Sequence, residues 1–204
     1  AAEINRLVVE IAFRHGVRKI VKSKSMVSEE SALDLAIEGA GIEVVETDLG
    51  EYILQINGYE PPSHIVGPAL HKSKEEVTEL FHRRHGTPRK EGIEELCREA
   101  RAVLREHYLT ADMGISGGNF FVAETGSVLL VTNEGNASLA TTLPKVHVAI
   151  SGIEKIVPTL EDVATLMRLL PRSATGQSIS NYVDVLTGTR GEGEFHGVDH
   201  MYFI

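Results

Sequence analysis

A glycine-rich segment in the middle of the chain contains the first residues that could do chemistry. Residues 114–119 read Gly-Ile-Ser-Gly-Gly-Asn, which places Gly117, Gly118 and Asn119 directly after a short apolar run. The glycine spacing differs from that of a dinucleotide fingerprint, and no Lys-Ser/Thr pair follows as in a phosphate-binding P-loop. A tight turn would explain these glycines, but the backbone N–H groups that such a turn leaves free can also bind an anion. The sequence leaves both interpretations open.

A second polar segment places one carboxylate beside a glycine turn. It reads Ala-Glu124-Thr125-Gly126-Ser and lies between two apolar runs. Burial would raise the pKa of the Glu124 carboxyl and make this residue a candidate general base or nucleophile. Alternatively, Glu124 accepts hydrogen bonds from neighbouring loop amides and stabilises the turn. We therefore take Glu124 as the candidate catalytic residue and Thr125 and Gly126 as candidate ligand-binding residues.

A third polar segment connects an apolar run at 127–131 to a candidate short helix at 137–142. It contains Asn133, Glu134, Gly135 and Asn136. A junction between a strand and a helix directs free N–H groups towards whatever lies above the sheet, so all four residues are candidates for ligand binding. Asn133 and Asn136 would serve a left-handed turn equally well, and a purely structural role stays open.

Lysine and serine side chains at predicted strand ends complete the candidate site. Lys22, Lys24 and Ser25 come at and after the end of a β-branched run, Lys145 precedes another such run, and Lys155 lies further along. Several lysines beside glycine turns suit a phosphate, a carboxylate or a CoA-like anion. Isolated surface lysines are the ordinary alternative. Together these loops predict a pocket for an anionic small molecule.

Histidine and cysteine do not predict a metal or cofactor site in this chain. Neither His82 and His85 on a predicted helix nor His196 and His200 around a loop has an acidic third ligand at a suitable spacing. Cys97 is the only cysteine, whereas an iron–sulfur cluster normally takes four. Because Cys97 lies on an apolar helical stripe, we expect it to be a small buried core residue.

Composition excludes several classes of protein. The 204 residues carry a formal net charge of −9, which opposes nonspecific binding of nucleic acid. No apolar run approaches the roughly 20 residues of a membrane span. No signal peptide is visible, and a lone cysteine gives no reason to invoke an oxidising compartment, so we expect a cytoplasmic location.

The elements that must position these residues alternate between strand and helix, which predicts an α/β fold with a mainly parallel, twisted sheet covered by helices. Segment 48–55 could be either a strand or a short helix. The last two strands look antiparallel or appended. Predicted strands are 17–21, 42–46, 64–69, 127–131, 146–150, 183–186 and 201–204, and predicted helices are 4–12, 28 to about 40, a short one around 77–81, 93–104, and 160–170 ended by Pro171.

Seven segments in order along the chain together resemble the LUD domain of the lactate-utilisation protein B family. They are residues 22–30, 43–51, 61–66, 123–127, 131–136, 141–147 and 172–177. The resemblance implies that residues 1–204 form a single LUD-type α/β domain, truncated at its ends. It also implies a fold similar to that of the NagB/RpiA/CoA-transferase-like superfamily.

This resemblance implies a role in a bacterial multi-subunit system that oxidises L-lactate to pyruvate. The family's full-length protein continues into a ferredoxin-like domain with 4Fe–4S motifs that this chain lacks. The chain would therefore carry no cofactor, and would supply a docking surface for other lactate-utilisation subunits in an electron-transfer complex, with a possible anion pocket. The alternative is a CoA-transferase-like or other small-molecule enzyme, or a sensor. In some CoA transferases the nucleophilic glutamate lies in Glu-Asn-Gly, which is similar to Glu124-Thr-Gly here.

Overall fold

The computed structural model describes residues 1–64, 67–132, 134–180 and 182–204. Strands and helices alternate along most of the chain. In chain order they are α1 (Ala2–Arg14), β1 (Lys19–Lys22), α2 (Met26–Glu30), α3 (Leu33–Gly39), β2 (Glu43–Glu46), α4 (Leu49–Ile56), α5 (Lys74–His85), α6 (Ile93–Thr110), β3 (Met113–Ser116), β4 (Phe120–Val122), β5 (Ser127–Val131), α7 (Asn136–Thr142), β6 (Val146–Ala149), β7 (Ile156–Val157), α8 (Leu160–Thr175), β8 (Val183–Leu186) and β9 (His200–Phe203).

A parallel sheet, sheet A, forms the centre of the structure, with strand order β2-β1-β3-β6-β9. Its strands are apolar on both faces, as buried parallel strands must be. Ile20 and Val44 pack with α1 and α3, whereas Val21 and Val45 pack with α4, α5, α6 and α7. The predicted α/β fold with a mainly parallel, helix-covered sheet is confirmed.

A second sheet, sheet B, has the order β7-β4-β5-β8 and packs one face against α8. Strands β4 and β5 form an antiparallel hairpin, and β8 is antiparallel to β5, as expected for the late strands. The same expectation is wrong for β9, which lies parallel to β6 in sheet A. The segment before β9 returns to the start of β6, where the Asp199 and His200 N–H groups both donate to the Lys145 carbonyl.

Three predicted elements near the amino-terminal half differ from the structure. Segment 48–55 is the helix α4, which Asp48 caps by accepting from two backbone N–H groups. The helix predicted from residue 28 to about 40 is split into α2 and α3, because Ala32 adopts a left-handed φ of +53°. Residues 64 and 67–69 are not strand, since a loop closes through the Ser63 N–H and the Pro68 carbonyl; residues 65 and 66 lie outside the described ranges.

Two further expectations about helices are wrong. Pro171 does not end α8, which loses one internal hydrogen bond there and continues to Thr175; Gly176, at φ +74°, ends it. Cys97 is exposed rather than buried. It lies about 100° around α6 from Leu96, and the buried stripe of that helix runs through Leu96, Ala100 and Leu104 instead.

Candidate functional site

A cavity of about 350 Å³ opens at the edge of sheet A where its strands end. We call this cavity the cleft. The carboxyl ends of parallel strands meet at one edge of a sheet, so the segments after β1, β3 and β6 converge there. Its polar lining consists of Ser23, Lys24, Ser25, Asp48, Gly117, Gly118, Asn119, Thr132, Asn136, Ser151, Glu154 and Lys155.

The glycine turn after β3 forms one wall of the cleft. Within the described residues, the N–H groups of Gly117 and Gly118 have no hydrogen-bond acceptor. A Cβ on Gly118 would lie 2.2 Å from the Phe121 ring, whereas a Cβ on Gly117 would meet nothing closer than 3.5 Å. Packing therefore requires glycine at 118, and the two residues that carry these N–H groups line a cavity large enough for a small anion.

Asn119 ties this turn to sheet B. Its side-chain Oδ1 accepts from the Val131 N–H at 2.8 Å, and its own N–H donates to the Leu129 carbonyl at 2.9 Å. From the other side, the Ser151 hydroxyl donates to the Gly118 carbonyl at 3.3 Å. The turn is thus held between the two sheets, and Asn119 both lines the cleft and positions its glycines.

Lys24 and Lys155 supply the positive charge of the cleft, and Asp48 and Glu154 supply its negative charge. Asp48 is already engaged, because its Oδ1 accepts from the Gly50 and Glu51 N–H groups. Ser25 lies next to Lys24 and caps α2 through the Ser28 N–H. Two lysines and free N–H groups around one cavity can bind a carboxylate or a phosphate.

A buried serine–histidine pair lies directly behind the glycine turn, and the sequence reasoning missed it. The Ser116 hydroxyl donates to the Gly117 carbonyl at 2.8 Å and lies 2.8 Å from His147 Nε2, which must then carry the proton of the neutral ring. Burial lowers the pKa of His147 to about 4. The pair orients the Gly117 peptide, and no feature of the sequence singled out His147 beyond its place in an apolar strand.

Because His147 is buried in its neutral form, the protein should lose stability as the pH falls. Its pKa is about 4 in the folded state and 6.5 in the unfolded state, so the contribution is present above pH 6.5 and is lost as the pH falls through 4. The full loss is about 3 kcal/mol. The free energy of unfolding, measured in urea, should fall less between pH 7 and pH 4 for His147→Gln than for His196→Gln. His196 is exposed, so its substitution serves as the control. Equal slopes would contradict this role.

Lys22 does not reach the cleft, although it ends β1. It shares a sheet face with Ile20, and its Nζ is buried against Glu46 Oε1 at 2.5 Å and Asp34 Oδ1 at 3.5 Å. Burial would lower the pKa of the Lys22 ammonium, but Glu46 and Asp34 outweigh burial and hold it above its usual value. Burial raises the pKa of the Glu46 carboxyl, and the Lys22 ammonium offsets part of that rise. Lys22 therefore stabilises the fold in this geometry.

Glu124, Thr125 and Gly126 lie together, but at the far end of the β4–β5 hairpin. The cleft is lined by Asn119, just before β4, and by the end of β5, and the three residues of β4 separate it from the hairpin tip by roughly 10 Å. Glu124 is exposed, and its Oε1 accepts from the Leu160 N–H at 2.8 Å at the start of α8. Gly126, at φ +65°, closes the turn. This placement gives no support to an acyl-transfer role for Glu124.

The remaining candidates are divided between the cleft and other surfaces. Asn136 begins α7 and lines the cleft, and it also lines a larger cavity of about 920 Å³ between α6 and α7 that we call the groove. Glu134 lines only the groove, Gly135 supplies the left-handed residue before α7, and Lys145 is exposed at the amino end of β6, at the opposite edge of sheet A. Asn133 lies outside the described residues.

The donor groups of the described residues do not form a metal site. Across the described ranges, no three His, Cys, Asp or Glu side chains are grouped to hold a metal ion. A 4Fe–4S cluster normally takes four thiolates, and the chain has one cysteine. In the same ranges, no helix combines the length and apolar character needed to cross a membrane.

Comparison with known proteins identifies the family. The model of the LUD domain matches residues 1–198. Proteins named Lactate utilization protein B are 52% identical over the whole chain in Geobacillus kaustophilus and Shouchella clausii, and 51% in Geobacillus sp. strain WCH70. The chain spans 43% of the length of each of these relatives.

One solved structure is also similar over the whole chain. It is a DUF162 family protein from Deinococcus radiodurans, with 16% identity, coverage of 96% of that protein and a TM-score of 0.39. Such a likeness is too weak to support an inference about the site. The match to the LUD-domain model and the relatives at about half identity are sufficient: the chain belongs to the LUD-domain family.

Proposed function

We propose that this chain is the LUD module of a system that oxidises L-lactate to pyruvate, and that its cleft binds a small anionic metabolite. The observation that carries the proposal is the glycine turn after β3: Gly117 and Gly118 line the same cavity as Lys24 and Lys155, and their N–H groups have no acceptor among the described residues. Backbone N–H groups and lysines are the donors that proteins use for carboxylates and phosphates.

The size of the cleft favours a small ligand. A cavity of about 350 Å³ lies at the lower end of the range for small-molecule sites. A hydroxy acid, an oxo acid or a phosphate fits this volume more readily than a whole nucleotide cofactor. Asp48 and Glu154 also line the cleft and can accept hydrogen bonds from a hydroxyl group, so a hydroxycarboxylate would satisfy both kinds of group.

The lactate assignment comes from the relatives rather than from the cleft. The similar proteins are named for lactate utilisation and are more than twice as long as this chain. We assign electron transfer, through the 4Fe–4S clusters that the family implies, to the remainder of the complete protein. This chain then contributes a ligand pocket and a docking surface for the other subunits.

Growth on L-lactate tests this assignment. Deleting the gene for the complete protein should abolish growth on L-lactate and leave growth on glucose intact, and the purified complete protein should show iron–sulfur absorbance. Expression of the complete protein should restore growth. Unchanged growth on L-lactate after deletion, together with no cluster absorbance, would contradict the proposal.

A further inference from the structure

The groove between α6 and α7 has a volume of about 920 Å³, and its apolar surface is only partly covered. Leu104 and Tyr108 form its buried floor. Leu109, Leu139 and Leu143 line it with 57%, 43% and 46% of their surface exposed. Leucines clustered around one concave surface mark a place where another molecule packs.

A row of arginines borders these leucines. Arg98, Arg101 and Arg105 line the groove and follow one another at spacings of three and four residues, so they project from one side of α6. Arg98 pairs with Glu94 at 3.3 Å in solvent, whereas Arg101 and Arg105 pair with no carboxylate in the described part of the chain. The protein carries a net charge of −9, so this row of arginines is a locally positive surface on a negatively charged protein.

The shape and the chemistry of the groove together indicate which kind of molecule binds there. From Cys97 to Leu109 the α6 wall is about 18 Å long, which matches about three turns of a second helix lying beside it. Leucines at the floor and rim suit apolar side chains on one face of such a helix, and the arginines suit carboxylates beside that face. A nucleic acid would leave the leucines without apolar contacts, and the negative net charge of the protein would oppose its binding.

We propose that the groove docks an acidic amphipathic helix of another protein. Apolar side chains of that helix pack on Leu139 and Leu143, and its carboxylates pair with Arg101 and Arg105. Glu134 is the carboxylate in the groove lining, and burial raises its pKa. The inference rests on the proposed function only in taking this chain to be one component of a multi-subunit system, and it is independent of any ligand in the cleft.

Site-specific photocrosslinking in the complete protein tests this proposal. A benzoylphenylalanine replaces Ala102, which is exposed in the groove, and a second variant carries it at Ala164, which is exposed on α8. In cells growing on L-lactate, position 102 should crosslink to an acidic amphipathic helix of a different polypeptide, identified by peptide mass spectrometry, and position 164 should not.

Charge reversal supplies the second part of the test. Arg101→Glu with Arg105→Glu should reduce the crosslink at least about tenfold, since like charges facing one another oppose docking. Both side chains are exposed, so thermal unfolding should be unchanged. The proposal would be overturned if position 102 formed no crosslink, or if it crosslinked to a second copy, to the same polypeptide or to a basic segment. A crosslink that survives charge reversal would also overturn it. Growth on L-lactate after gene deletion is scored separately, so the two proposals can fail independently.

Discussion

Replacing Gly114 by alanine should destabilise the protein by at least about 3 kcal/mol, because the new methyl group has no space. A Cβ at this position would lie 1.7 Å from the Ala140 carbonyl oxygen, where α7 packs directly on β3. That oxygen belongs to helix backbone, so the contact can be relieved only by moving α7 away from sheet A. Because α7 also borders the cleft, the displacement should reach the site. Urea unfolding monitored by circular dichroism would measure the loss.

Gly117→Ala is the matched control for this substitution. It lies three residues away, after the same strand, and its Cβ would meet only ordinary contacts at 3.5 Å or more. We expect a change in unfolding free energy within about 0.5 kcal/mol. Similar stability for Gly114→Ala and Gly117→Ala would show that the close packing of α7 on β3 is wrong.

Replacing Lys22 by methionine should cost about 3–5 kcal/mol, because it removes the cation from a buried charged cluster. The Lys22 ammonium contacts Glu46 and Asp34 and donates to the Ser28 hydroxyl at 3.1 Å, and 1% of its side chain is exposed. Without it, Glu46 remains buried with its carboxyl either charged or forced to bind a proton. Urea unfolding at pH 7 would measure this loss.

Lys19→Met is the control, because it removes a lysine from an ion pair with an exposed partner instead of from a buried one. Lys19 lies on the same strand and pairs with Glu43 at 3.3 Å, but 54% of the Glu43 side chain is exposed. A pair of this kind contributes at most about 1 kcal/mol. Adding Glu46→Leu to Lys22→Met should recover part of the stability, since it removes the carboxylate left unpaired. Equal costs for the two lysine variants would contradict the buried cluster.

The sheet was predictable because its strands are buried on both faces. Three of the five residues in each of the runs 17–21 and 42–46 are β-branched, and they fall on both faces of the strand. A helix-covered parallel sheet buries both faces of such strands. The helix break at Ala32 was not predictable, because an alanine rarely adopts positive φ and no local residue signals it. The prediction at Pro171 is wrong for the opposite reason. Proline is a strong local signal that a helix ends, but α8 continues through Pro171 to Thr175.

Part of the candidate site could be predicted from the position of each residue relative to its strand or turn. Lys24 and the Gly117–Gly118 pair follow parallel strands, so they belong to one edge of the sheet, whereas Lys145 precedes its strand and belongs to the other. Lys22 is the last residue of a strand that is buried on both faces, so its side chain is directed into the core. Glu124 lies in a four-residue connection between short strands, which is typical of a hairpin tip. Ser116 and His147 meet only through the β3–β6 register, which the sequence does not specify.

Calorimetric titration of the complete protein with L-lactate, pyruvate and phosphate tests the anion cleft most directly. At least one of these anions should bind with one site per chain. Lys24→Ala should weaken that binding at least about tenfold, since a charge-assisted hydrogen bond is lost. Lys145→Ala, at the opposite edge of sheet A, should leave it unchanged. Absence of binding by all three anions, or equal effects of the two substitutions, would contradict a cleft built on Lys24 and the Gly117–Gly118 turn.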